Sequence, residues 1–143
     1  MRNGASHWNE TDTPISFRET SGTRNTVTVL DRNANPEMPN ALGLRRVVSR
    51  NETNLTRWEI EMFESPLRDH AEEWEYTLSN VVTNVFVHEL GHVIGLRDNP
   101  VGRQFHNGSL MNQGTINSGA GRSRDIVPGI TPFDIQSVNW LYE

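Results

Sequence analysis

The run His88-Glu89-Leu90-Gly91-His92-Val93-Ile94-Gly95-Leu96-Arg97-Asp98 organises the reading of this 143-residue chain. It closes a stretch from about Thr77 to Ile94 in which Leu78, Val81, Val82, Val85, Phe86 and Glu89 recur at helical spacing, with Thr77 or Ser79 as N-cap. Residues four apart share a helix face, so His88 and His92 can offer both imidazoles to one metal ion. Glu89 follows the first imidazole by one residue and can address a metal-bound water from the side. Gly95 lets the chain leave the helix through a positive-φ residue. Asp98, three residues on, is a carboxylate candidate for the third ligand, and His106 competes with it for that place. Zinc held by three protein ligands keeps a position open for water and brings the pKa of that water to about 7. Glu89 would take the water's proton and pass it to the departing amine.

Beyond this run, residues 97–129 hold much Gly, Asn, Ser and Arg and form a long irregular segment. Within it, Ser109-Leu110-Met111-Asn112 sets a methionine among turn formers. Thr131-Pro132 then opens a last helix, Pro132–Tyr142, with Thr131 as N-cap and Asp134 near its positive end. Ile135, Val138, Trp140 and Leu141 are its candidate buried residues. Towards the N-terminus, Ala5–Trp8 reads as the end of a helix, and Ile15–Glu19 and Asn25–Asp31 as strands. Leu42–Ser49 and Leu55–Phe63 read as two strands about the turn Asn51–Asn54. In the second, Trp58, Ile60 and Met62 alternate with Glu59, Glu61 and Phe63, as on a half-exposed or edge strand. Pro66 ends that run, and Asp69–Glu75 reads as an acidic, solvated stretch.

Composition narrows the chemistry. Eighteen acidic residues against 13 basic ones, all arginine, give a net charge of −5 and argue against a general nucleic-acid binder. With no cysteine there is no disulfide, no thiol nucleophile and no thiolate metal ligand, so a metal site must use His, Asp or Glu. No apolar run approaches the roughly 18 residues of a membrane span. His7 and His70 lack partners at ligand spacing and read as surface residues. Glu72, Glu73 and Glu75 read as a solvated acidic face in preference to a calcium site. Asn9, Asn51, Asn54 and Asn107 begin glycosylation sequons, which matter only in a eukaryotic secretory route.

Taken together, the His88–Asp98 run, Met111 and the Thr131-Pro132-Phe133-Asp134 helix start resemble the metzincin clan of zinc endopeptidases. Ala5–Trp8, Thr13–Phe17 and Pro132–Tyr142 are similar to parts of matrixin-type catalytic domains. The resemblance implies an α+β fold: a twisted, mostly parallel sheet, an active-site helix, an irregular methionine-turn segment and a C-terminal helix. It implies a single domain over 1–143, with an N-terminal subdomain of about 1–95 and a C-terminal one of about 96–143. It further implies Zn2+ on His88, His92 and the third ligand, Glu89 as catalytic residue, and Met111 packed under the metal. An aspartate at position 98 resembles the snapalysin-like branch, and this anionic ligand makes bound water less acidic than three imidazoles would. Asp134 either braces the methionine turn or serves as N-terminal helix charge. The implied partner is an extended peptide or protein substrate laid beside an edge strand, for which Leu55–Phe63 is the candidate. Secretion is implied, with no thiol latch for latency; the oligomeric state is unknown, a monomer being favoured, and a structural Ca2+ occurs in relatives, but no loop here assigns one. Only seven residues precede Trp8, fewer than the clan's first strand and helix need. The competing function is a non-catalytic zinc-binding interaction module on the same scaffold. A downstream Glu as third ligand is disfavoured, because no Glu lies between Glu89 and Glu143.

Overall fold

Helix α3 (Leu78–Val93) is the spine on which the other elements rest. Thr77 caps it by accepting the Asn80 amide, and its last residues turn off through Gly95 at φ 99°. Val81, Val85, Phe86, Val87 and Leu90 are buried around most of its girth, because it is covered from several sides. The computed structural model describes residues 2–21, 25–30, 37–38, 41–50, 55–98, 109–111 and 129–143.

Helix α1 (Arg2–Asn9) lies along α3. Trp8 is fully buried, and its indole N–H donates to the Val87 carbonyl at 2.9 Å. An indole of this size contributes roughly 2–3 kcal/mol by burial alone. Gly4 allows the close approach, since a Cβ there would overlap the Phe86 ring.

Among the described residues the sheet has three strands, β1 (Thr26–Leu30), β2 (Gly43–Arg50) and β3 (Leu55–Phe63), in the order β1-β3-β2. β1 runs parallel to β3 and β2 antiparallel to it. The sheet is thus mixed, not mostly parallel, and β3 is its centre, not its edge. Trp58, Ile60 and Met62 point to the helices, while Arg46–Glu61 and Arg57–Glu59 pairs, each at 3.3 Å, populate the outer face. A solvated face on a central strand produces the same alternation as an edge strand, which explains the difference from the sequence reading. Phe63 donates to the Leu42 carbonyl at 3.0 Å, and the register opposes Gly43 to Met62, Arg45 to Ile60 and Val47 to Trp58. Bonded and non-bonded pairs alternate in an antiparallel ladder. Gly43, Arg45 and Val47 therefore turn their backbone N–H and C=O groups away from β3, towards the free edge.

Further expectations change. Ile15–Glu19 forms no strand. Its polar backbone is met by a side chain instead: the Asn9 amide donates to Phe17 O at 2.8 Å and accepts from Phe17 N at 2.7 Å. The stretch after Phe63 is a helix, α2 (Glu64–Glu73), which buries Leu67 and Ala71. Pro66 sits in its first turn, where an amide N–H has no helical partner to lose. Glu72, Glu73 and Glu75 are exposed, while His7 and His70 are half-buried instead of superficial.

Helix α4 (Pro132–Tyr142) begins with a capping box between Thr131 and Asp134 and buries Val138. Its end is tied to α3 by the Tyr142 hydroxyl, which donates to Ile94 O at 3.1 Å. Trp140 and Leu141 are exposed, at 77% and 47%, and do not join the core as expected.

Candidate metal centre

His88, Glu89 and His92 lie in the last two turns of α3, and the Gly95 turn brings Asp98 back over them. One Asp98 oxygen, Oδ1, stands 3.2 Å from His88 Nε2 and 3.4 Å from His92 Nε2. The three ligand atoms all fall within 4.8 Å of one another. Donors about 2.05 Å from a tetrahedral zinc lie about 3.3 Å apart, so both distances to Asp98 already match that geometry. The imidazole side chains are 20% and 14% exposed and the carboxylate 40%, so the cluster opens towards solvent on the Asp98 side.

The far side of each ring decides which nitrogen is available. His88 Nδ1 bonds the Leu110 carbonyl at 2.8 Å, and His92 Nδ1 bonds the Leu96 carbonyl at 3.0 Å. A carbonyl only accepts, so both Nδ1 atoms carry hydrogen and both Nε2 atoms face the cluster. This is the tautomer and orientation that metal-ligating histidines require. The donor set, two imidazoles and a carboxylate, suits zinc.

The charges fit together in the same way. Burial alone would lower the His88 pKa. The hydrogen bond to Asp98, the Leu110 carbonyl and the nearby Glu89 and Asp98 charges outweigh it, and the net shift is upward. Hydrogen bonds from His88 and His92 hold Asp98 well below the usual carboxylate range. Glu89 is 6% exposed, and burial pushes its pKa up against the pull of the two histidines and of the Arg45 backbone amide. A carboxyl raised in this way holds a proton more readily than an exposed one, which suits a group that both takes and gives protons. Strand β2 approaches Glu89 because residue 43 is glycine: a Cβ there would come within 2.7 Å of Val85 Cγ1 and 3.3 Å of Glu89 Oε1.

Met111 is 3% exposed and packs against Gly91, between the two histidines in sequence. A Cβ at Gly91 would come within 2.5 Å of Met111 Sδ and 3.4 Å of Trp8 Cζ2. Asp134 both caps α4 and holds the Ser109–Met111 segment. Its Oδ2 accepts from Leu110 N at 3.1 Å and Thr131 N at 2.9 Å, and its Oδ1 accepts from Ser109 Oγ at 2.6 Å. His106, the competing ligand, lies outside the described residues, as do Asn51, Asn54 and Asn107.

A family model described as Zincin-like metallopeptidase matches residues 23–105, more than half of the chain. The chain belongs to the zincin-like metallopeptidases. The matched segment of this zincin carries His88, Glu89, His92 and Asp98 and stops short of Met111 and α4. No curated protein and no solved structure matches the chain. Membership makes it a metallopeptidase, with peptides as substrates, and the His-His-Asp cluster supplies a group able to hold the metal. No described helix is long and apolar enough to cross a membrane. Sequence reasoning missed the carbonyls of Leu110 and Leu96, Ser109, and the β2 backbone beside Glu89. Only Ser109, a hydroxyl two residues before the methionine, left a readable signal.

Proposed function

We propose that this zincin is a zinc endopeptidase of metzincin type, with His88, His92 and Asp98 holding the metal and Glu89 as general base and then general acid. The observation that carries the reading is the convergence of two Nε2 atoms and one carboxylate oxygen, while both Nδ1 atoms are tied back to carbonyls. Bound zinc would polarise the scissile carbonyl and render water acidic near neutral pH. The protein's own part begins with Glu89, which is buried, raised in pKa and beside the cluster. It accepts the proton of the attacking water and delivers it to the leaving amine. On this reading, the His-His-Asp set supports a snapalysin-like third ligand, and Met111 packed against Gly91 supports a matrixin-like methionine turn. An extracellular location belongs to the same proposal and rests on the resemblance alone.

The substrate would add as an extended strand along the free edge of β2, not along β3. Among the described residues Gly43 and Val47 have backbone groups on that edge with no ladder partner, and Arg45 offers its carbonyl there while its amide donates to Glu89. In the test, zinc-loaded parent and Glu89→Ala are given casein and a peptide library. The expected variant keeps its zinc and loses at least about 10²-fold in kcat/KM. Equal rates would overturn the mechanism. Zinc uptake by the parent with no turnover of any peptide would favour a non-catalytic zinc-binding module.

A further inference from the structure

Behind His88 runs an unbroken line of hydrogen bonds to a buried carboxylate. Ser109 Oγ donates to Asp134 Oδ1 at 2.6 Å and accepts from Met111 N at 3.1 Å. The Met111 N–H shares its peptide group with the Leu110 carbonyl, and that carbonyl takes the His88 Nδ1 hydrogen at 2.8 Å. Ser109, Met111 and Asp134 are 2%, 3% and 1% exposed, leaving bulk water no ready access to the hydroxyl's place. We infer that Ser109 is a positioning residue for the metal centre, relaying the Asp134 charge through the Leu110–Met111 peptide to His88.

The physical effect has two parts. Each bond polarises the next in a dry surrounding, so the carboxylate makes Leu110 O a stronger acceptor and His88 Nε2 a stronger donor to a metal. The same bonds fix the carbonyl in place and thereby select the Nδ1–H tautomer. The relay needs Ser109 specifically. Asp134 would still cap α4 and hold Leu110 N through Oδ2 without it. His92 has a different support, the carbonyl of Leu96 only four residues away. The inference rests on reading His88 as a metal ligand, but the relay itself is legible without metal.

The experiment compares the full chain with Ser109→Ala and with Val138→Ala, which loosens the packing of α4 at a buried residue that forms none of the relay's hydrogen bonds. Metal-free protein labelled with 15N at histidine is observed by NMR in mildly alkaline buffer. Zinc affinity is measured by competition with a chromophoric chelator. Ser109→Ala is expected to shift His88 towards the Nε2–H tautomer, leave His92 unmoved, and weaken zinc about 10-fold or more. Val138→Ala is expected to lower Tm while both readouts stay at the parent's values. A Ser109→Ala protein with the parent's His88 spectrum and zinc affinity overturns the relay. So does a loss of affinity that tracks Tm equally in both variants. A parent that binds no zinc overturns the metal centre instead, and the NMR comparison then decides the relay by itself.

Discussion

Gly91 is where helix propensity and packing pull in opposite directions. Alanine in a helix interior is worth about 1 kcal/mol over glycine. A Cβ here would meet Met111 Sδ at 2.5 Å with Trp8 behind it, and overpacking a closed site costs about 1–3 kcal/mol. Packing wins, so Gly91→Ala should lower the Tm of metal-free protein by a few degrees. In a Met111→Ala background the obstruction is gone and the same substitution should stabilise. Equal shifts in the two backgrounds would show that Met111 does not pack against this turn. The pair also marks what a sequence reveals. His88, Glu89, His92 and Asp98 were legible because their spacing is local, within eleven residues of one helix and its exit. The groups that aim them come from far along the chain: Leu110 lies 22 residues from His88, and Asp134 25 from Ser109. No periodicity encodes such a meeting.

Elements with strong local signals were read well and elements judged by their boundaries were not. Thr77, one of the two N-cap candidates, caps α3, and Thr131 caps α4. Helix α2 was hidden because Pro66 looks like a breaker, yet in a first turn it breaks nothing. The place of β3 was hidden because alternation reports which face is wet and is silent about which edge is free. That correction moves the proposed substrate edge to β2 and gives a test at this scale. Among the described residues that edge offers the backbone of Gly43 and Val47 and the Arg45 carbonyl. A substrate N-methylated at alternate residues loses ladder bonds worth about 0.5–1.5 kcal/mol each. One methyl group facing β2 should therefore raise KM about 2- to 10-fold, and the same methyl one residue along should change little. Equal sensitivity at successive positions would exclude strand addition at this edge.

On the scale of the whole molecule, the proposed zinc site and protons would compete for one cluster, and the sign of the competition follows from the shifts. In metal-free protein His88 is raised, so its contribution to stability is full below the ordinary histidine value and fades as pH rises through the folded value. Asp98 is depressed, so its contribution is present above the ordinary carboxylate range and is lost only in strong acid. Glu89, raised by burial, adds to the loss on the alkaline side. His70, lowered by burial, weakens the fold in acid, but equally with and without metal. It drops out of the difference. Metal-free protein should therefore be most stable between the ordinary carboxylate and histidine ranges, where a proton bridges His88 and Asp98. Zinc must displace that proton to bind. The Tm gained on adding zinc over a chelator control should be small near about pH 5 and grow towards about pH 8. At a free zinc level of about 100 Kd the gain is about 2.7 kcal/mol, or about 9 °C for a chain of this length. Asp98→Asn should flatten the profile by removing the partner of the bridging proton. A gain that is independent of pH in the parent, or that shrinks as pH rises, would mean that zinc and protons do not share this site.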